Sequence, residues 1–335
     1  MNNNIDFIVT WVDGNDEAWK KQKKAYSSSS DNENENDNIS RYRDWDLMRY
    51  WFRGIEKFAP WVNKIFFVTC GQIPKWLNIN HPKLQTVFHK EYMPASALPT
   101  FNSRAIEFCF HRIEGLSERF VLFNDDVFLI DFVKPTVFFK NGLPCDYAAL
   151  SIFTPFQEFD HTYVNDMILI NNRFSIRQCF REHPGKWFSI KDIRATLKTI
   201  LYCYPFGMFS RFRNYHNALP FTKSEFTAMW ERFPEKFNET VHHKFRTNED
   251  ITPWVIRYWR LASGQFYPLS QRYSCYIGLG SDERFAKAAD IISHQKKKEI
   301  CLNDVYQGNK FEEHKISLQK AFETILPTPS SFEMP

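Results

Sequence analysis

Two adjacent carboxylates, Asp125 and Asp126, follow the apolar run Phe120-Val121-Leu122-Phe123 with one asparagine between. A short run of that composition reads as a buried strand, whose rigid end presents the next side chains at a fixed position. Paired carboxylates so placed suit a hard cation. Mg²⁺ accepts one or two of them, keeps several waters, and takes substrate phosphate in its remaining positions. Mg²⁺ or Mn²⁺ is therefore the expected cofactor of Asp125 and Asp126, although the same pair could serve only to cap the following turn. Two other apolar runs also end in acid: Ile5 to Trp11 before Asp13-Gly14, and Glu299 to Leu302 before Asn303-Asp304. Trp11 and Asp13 could hold the base and ribose of a nucleotide; a core tryptophan and an Asp-Gly turn are the plain alternative.

Three further groups carry chemistry. Arg104 and Glu107 lie one helical turn apart behind Asn102 and Ser103. They form either a surface ion pair or a helix start whose Asn102 and Arg104 reach sugar or phosphate with Glu107 in support. His216, in Tyr215-His216-Asn217-Ala218-Leu219-Pro220 just before an expected helix, could deprotonate a hydroxyl because imidazole titrates near neutral pH. Arg246, in a loop with Glu249 and Asp250, offers a bidentate fork to phosphate oxygens or is part of a solvated turn.

The elements that must position these groups follow from periodicity. Strands are expected at residues 5–11, 64–69, 84–89, 120–123 and 299–302. Leu47, Trp51, Ile55 and Phe58 mark a helix over 44–58, and Ile106, Phe110 and Ile113 mark another, with Ser103 as its cap. Further helices are expected around Phe226–Phe233, Trp254–Leu261 and Phe311–Ile325. Strands alternating with helices imply βαβ units, an α/β fold and a mostly parallel sheet. In such sheets ligands bind beyond the carboxyl ends of the strands, where the acidic turns fall. The organisation expected is a catalytic α/β domain over residues 1–149 and 211–335. A flexible acidic loop occupies 27–38, and an inserted, aromatic-rich covering subdomain spans 150–210.

Composition bounds the function. The chain has 335 residues, and its 43 Lys and Arg against 39 Asp and Glu leave a net charge of +4, too mild for a nucleic-acid partner. Aromatic residues are 17% of the chain, which thickens a core or lines a site for sugars and bases. Seven dispersed cysteines with no CxxC pair argue against zinc and read as reduced core thiols of a cytoplasmic protein. No signal peptide is expected from the polar N-terminus, and no apolar stretch of the sequence approaches the ~20 residues needed to span a bilayer. Lys296-Lys297-Lys298 is a solvated charge run or a contact for anionic lipid. No P-loop, GxGxxG, GxSxG or HExxH motif is present.

Longer phrases resemble the Stealth family of sugar-phosphate transferases, which includes bacterial capsular polysaccharide phosphotransferases and the animal lysosomal-enzyme N-acetylglucosamine-1-phosphotransferase. Its four regions recur in order. The first is Ile5 to Gly14. The second runs through Arg43-Asp44-Trp45-Asp46-Leu47, Gly71-Gln72-Ile73-Pro74-Lys75-Trp76-Leu77, Leu98-Pro99-Thr100-Phe101-Asn102-Ser103 and Phe123-Asn124-Asp125-Asp126. The third spans His216 to Asp250, and the fourth is Cys301-Leu302-Asn303-Asp304. The segment HNALPF at His216 departs from the family's usual pattern there. The resemblance implies a glycosyltransferase-A-like fold that transfers sugar-1-phosphate from a UDP-sugar, UDP-N-acetylhexosamine among the options, to a glycan hydroxyl with release of UMP. It implies that Asp125 and Asp126 hold the metal, Arg246 stabilises the phosphoryl group, and His216 is the base with Asp126 as alternative. Trp11 and Asp13 would hold the nucleotide, while Asn102, Arg104, Glu107 and Asp304 shape the donor site. Peripheral association with the inner face of the cell membrane fits such a role. The rival readings are a metal-dependent glycosyltransferase releasing UDP and a non-catalytic carbohydrate-binding protein.

Overall fold

The computed structural model describes residues 4–27, 42–155, 157–203 and 207–334. Of the acidic loop expected at 27–38, residues 28–38 lie outside the described residues. In chain order the strands are β1 (Ile5–Thr10), β2 (Ile65–Thr69), β3 (Leu84–Phe88), β4 (Arg119–Phe123), β5 (Val127–Leu129), β6 (Phe139–Lys140), β7 (Leu143–Asp146), β8 (Leu219–Thr222), β9 (Tyr267–Pro268), β10 (Ser274–Leu279) and β11 (Glu299–Asp304). The helices are α1 (Glu17–Tyr26), α2 (Met48–Phe58), α3 (Ser103–Phe108), α4 (His161–Asn171), α5 (Ile176–Glu182), α6 (Pro184–Trp187), α7 (Ile193–Cys203), α8 (Lys223–Arg232), α9 (Pro234–His242), α10 (Trp254–Ala262), α11 (Asp282–Ser293) and α12 (Phe311–Ile325).

The central sheet has the order β3-β2-β1-β4-β8, parallel except for β8, which runs antiparallel to β4 with Leu122 opposite Leu219. Both faces are covered, so its inner strands are apolar throughout rather than alternating. Phe7 and Val9 enter the core on one face, where Phe7 meets Trp61, Phe123 and Phe138; Ile8 enters the core on the other. Much of the aromatic surplus is spent there. Asp6 is the exception inside β1, buried but satisfied: it accepts hydrogen bonds from Asn63 Nδ2 and the Lys64 and Ser117 amides. That carboxylate clips together the loops that lead into β2 and β4.

A second sheet, β10-β11-β5, begins immediately after the acidic pair, because β5 pairs antiparallel with β11 through Val127 and Cys301. A third, β6-β7-β9, is tied down by Asp146, whose carboxylate receives the fork of Arg257 at 2.7 and 2.8 Å and a bond from Arg260 at 3.2 Å. The α/β class, the mostly parallel central sheet and the flanking helices are as expected.

Several boundaries differ from the sequence expectation for local reasons. Helix α2 begins at Met48 rather than Asp44, because Asp46 takes a left-handed φ of 53°. Gly54 in α2 passes the Leu129 carbonyl so closely that a Cβ would stand 2.7 Å from its oxygen. Asn102, not Ser103, caps α3 through its side-chain bond to the Arg104 amide. His216 precedes the edge strand β8 rather than a helix. Residues 150–210 contain α4 to α7, joined to the rest by the Leu150–Phe212 bridge and by Asn165, which donates to the Asn248 and Asp250 carbonyls. Among the cysteines with described side chains all are free; Cys109, Cys145, Cys179 and Cys301 are buried as expected, whereas Cys70 is exposed and Cys275 half-buried.

Candidate active site

The parallel strands β1, β2 and β4 end on the same edge, so Trp11–Asp13, Gly71–Gln72 and Asn124–Asp126 come together there. The first turn is closed by reciprocal bonds: the Asp13 amide donates to Gln72 Oε1 at 2.9 Å, and Gln72 Nε2 donates to the Asp13 carbonyl at 3.1 Å. Gly14 is required next, since a Cβ there would collide with the Tyr42 carbonyl.

Asp125 and Asp126 form the two-sheet junction. The Asp126 carbonyl accepts the Leu302 amide at 2.8 Å, and its Oδ2 accepts the Cys301 thiol at 3.3 Å. Its Oδ1 is buried with no hydrogen-bond partner among the described residues. Burial raises the Asp126 carboxyl above the usual range. Asp125 is open to the cleft, yet walled around; lost hydration and then repulsion from Asp126 push it up to about 7. Burial, reinforced by Asp126, holds the Cys301 thiol protonated. Two crowded carboxylates with an orphaned oxygen fit a divalent cation, which would replace the missing donor and offset the repulsion.

An open cleft of about 500 Å³ lies over this pair, and Trp11, Glu107, Arg246 and Asp304 line it with Asp125 and Asp126. Trp11 is half-buried and stacks on Phe67 at 5.8 Å. Asp13, expected beside Trp11 in the nucleotide site, lines neither this cleft nor the smaller one adjoining it; its carboxylate accepts the Asn15 amide. Asp304 is already engaged: Arg43 donates to both its oxygens at 2.8 and 2.9 Å, and Trp45 Nε1 donates at 3.0 Å. Arg43 is a site residue that sequence reasoning assigned no role; it stands 261 positions from its partner, and spacing alone could not pair them.

A second, smaller cleft of about 140 Å³ contains Arg104 and His216, and shares Ser103, Glu107, Asn124 and Arg246 with the first. Glu107 is thus at the boundary. Burial pushes its carboxyl up to about 7, against the opposing pull of Arg246 and Arg104. His216 sits at a φ of 50°, its ring 4.7 Å from that of Tyr276. Burial, with Arg211 and Arg257 nearby, lowers its pKa, so the imidazole is neutral at pH 7.

Behind the clefts is a buried knot. Asp250 accepts from Asn102 Nδ2 and Arg104 Nη1, both at 2.9 Å, from the Thr247 amide, and from His243 Nδ1 at 2.7 Å. The Arg104–Glu107 surface pair is therefore not what forms: Arg104 is buried and pairs with Asp250. Asn102 is fully buried and lines neither cleft; it joins the start of α3 to the 243–250 loop. That loop is not a solvated turn, for Asp250 is its anchor. Arg246, on the same loop, donates to Ser103 Oγ. Elsewhere, Glu239, His243 and Glu249 bring possible ligand atoms within 4.8 Å of one another, but the Nδ1 of His243 is committed to Asp250.

Models of the Stealth protein conserved regions 1, 2 and 3 match residues 3–31, 41–145 and 215–259. The capsular polysaccharide phosphotransferase WcwK of Streptococcus pneumoniae is 39% identical over 99% of this chain and 100% of its own. The exopolysaccharide phosphotransferase cps2G of Lactiplantibacillus plantarum is 39% identical over 98% and 96%, and the receptor polysaccharide phosphotransferase WefC of Streptococcus gordonii 38% over 98% and 99%. Among solved structures, the glycosyltransferase GlyE of Streptococcus pneumoniae aligns over 98% of this chain and 66% of its own, at 11% identity and a TM-score of 0.37. With three conserved regions matched in order and relatives similar from end to end, the chain belongs to the Stealth family.

Proposed function

We propose that this protein transfers a sugar-1-phosphate from a UDP-sugar to a glycan hydroxyl, releasing UMP, in the synthesis of a capsular or other surface polysaccharide. The observation that carries the reading is the Asp125–Asp126 pair, with the orphaned Asp126 Oδ1, in a cleft that also holds Arg246. The relatives' names give the reaction class, and the site residues suit it.

Asp125 and Asp126 would hold Mg²⁺ or Mn²⁺, which when bound neutralises charge on a pyrophosphate. Trp11, with Asp13 beside it, would hold the nucleotide. The acceptor oxygen attacks the β-phosphorus, the bond from that phosphorus to the bridging oxygen breaks, and UMP leaves with the electron pair. The sugar C1–O bond is untouched, so the anomeric configuration is kept. His216, neutral and on the second cleft, takes the acceptor proton; Asp126 is a poorer base if it already holds a cation. Arg246, common to both clefts, supplies positive charge where the phosphoryl group would cross. Glu107 and Arg104 shape the junction. Asn102 and Asp304 act through others, Asn102 by holding Asp250 and Asp304 by fixing Arg43.

The test is incubation with a panel of UDP-sugars, Mg²⁺ or Mn²⁺ and glycan acceptors, with nucleotide analysis. UMP and a phosphodiester-linked product are expected. UDP as the nucleotide product would make the protein a glycosyltransferase, and sugar binding that survives both chelation and Asp125→Asn would make it a carbohydrate-binding protein.

A further inference from the structure

Helix α7 is built inside out. Ala195 and Thr199 are 3% and 1% exposed, while Leu197 and Leu201 are 59% and 68% exposed. Its buried face is small and hydroxylated: Thr199 Oγ1 accepts the Leu150 amide at 2.9 Å, and Thr196 Oγ1 donates to the Ser189 carbonyl at 3.0 Å. Its outer face is aliphatic. At ~100° per residue, Ile193, Leu197, Ile200 and Leu201 fall within roughly 100° of arc. Ile190, 87% exposed in the turn just before the helix, continues the run. A water-facing helix ordinarily has the opposite arrangement, and a contiguous apolar stripe marks an interaction surface.

Charge decides the partner. Arg194 and Lys198 are exposed and border one edge of the stripe. From Ile193 to Ser224 the sequence contains no Asp or Glu, although it includes Arg194, Lys198, Arg211, Arg213 and Lys223. The carboxylate just before the helix, Asp192, is buried and paired with Arg272 at 2.7 Å. An apolar face bordered by cations and free of carboxylates matches an anionic bilayer surface: aliphatic side chains enter the acyl boundary and the cations meet headgroup phosphates. The Lys296-Lys297-Lys298 run is a weaker alternative, because its ammonium groups are engaged by Asp290 and by the Arg272 and Phe132 carbonyls. No helix among the described residues is long and apolar enough to cross a membrane.

We infer that the outer face of α7, with Ile190, seats this protein on an anionic lipid surface. The inference is independent of the reaction proposed above. It concerns access: the helix is fastened at Leu150, which bridges Phe212, and four residues beyond Phe212 the chain reaches His216.

The test is co-sedimentation of the full chain with vesicles of phosphatidylglycerol and phosphatidylcholine in equal parts, compared with phosphatidylcholine alone. Binding to the anionic vesicles is expected, and the double substitution Leu197→Asp with Leu201→Asp should weaken it by at least about tenfold. Lys198→Gln should weaken it about fivefold, and less so at high salt. These positions are exposed, so circular dichroism and transfer to a soluble acceptor should be unchanged. The inference is overturned if the protein ignores both vesicles, binds them equally, or binds normally when Leu197 and Leu201 are substituted. It is also overturned if light scattering finds a dimer that the double substitution splits, because a second copy would then cover the stripe.

Discussion

Asp250 is the residue whose loss should reveal most about how the site is held. It is fully buried and accepts five hydrogen bonds, from Asn102, Arg104, His243, and the amide and hydroxyl of Thr247. In Asp250→Ala, Arg104 remains buried without its counter-charge. Breaking a buried pair by removing one partner costs about 3–5 kcal/mol, so in a chain of 335 residues a fall in melting temperature on the order of 6 °C is expected. Asp250 also joins Asn102 at the start of α3 to the loop bearing Arg246, so kcat should fall by more than the unfolded fraction explains. The pH profile sharpens the test. Burial alone would raise the Asp250 carboxyl, but His243, Arg104 and the other donors outweigh it and hold it low, while the bond to Asp250 raises His243. The carboxylate's contribution is present above its ordinary pKa and lost as pH falls through the lowered value. That of His243 is complete below its ordinary pKa and lost as pH rises through the raised value. Wild-type stability from this knot should therefore be greatest between about pH 4 and 6.5, and the variant should lack that optimum. Thermal melts across pH, with steady-state kinetics on the same samples, measure both effects. A loss under about 1 kcal/mol would refute the assignment of Asp250 as anchor. Full destabilisation with unchanged kcat in the folded fraction would show that the knot does not position the site.

Three other expectations follow from particular groups. Asp125→Asn and Asp126→Asn should each lower turnover by at least about a hundredfold while leaving the melting temperature equal or higher, since each removes a crowded carboxylate; near-normal activity in both would contradict the cation assignment. Millimolar Mg²⁺ or Mn²⁺ should raise the wild-type melting temperature by a few degrees and leave both variants unmoved, as scanning fluorimetry would read. Glu299 is fully buried, its carboxyl pushed up to about 8 by burial, with Oε1 accepting the Ala218 amide. The folded state holds that proton above the ordinary carboxyl range, so stability should fall as pH rises from about 4.5 to 8. Glu299→Gln, which keeps the amide bond, should be more stable than wild type at pH 8 by on the order of 3 kcal/mol and not at pH 4 in urea titrations.

The fold was legible where chemistry is local. Buried parallel strands such as Phe66-Phe67-Val68 have no other plausible home than a covered sheet, and the amphipathic spacing in α2 and α12 is strong enough to name the helix. The pair Asp125-Asp126 was visible because a strand must stop before it. What sequence could not supply was partner choice across the chain. Arg43 and Asp304, or Arg104 and Asp250, become pairs only after the sheets assemble, and Glu107 looked like the natural partner of Arg104 by helical spacing. Boundaries slipped where one backbone conformation decided them, as at Asp46. The inverted face of α7 was obscured because Ile193, Leu197 and Ile200 have the spacing of an ordinary core-facing helix; only burial tells which side is turned inward.

The most direct test of the central claim follows a single atom. With a UDP-sugar radiolabelled at the β-phosphorus, a metal ion and a glycan acceptor, the account predicts that the label passes into the polymer as a phosphodiester while unlabelled UMP is released. Label remaining in the nucleotide fraction as UDP, with unlabelled sugar on the acceptor, would contradict it, because the sugar carbon and not the phosphorus would then be the centre attacked.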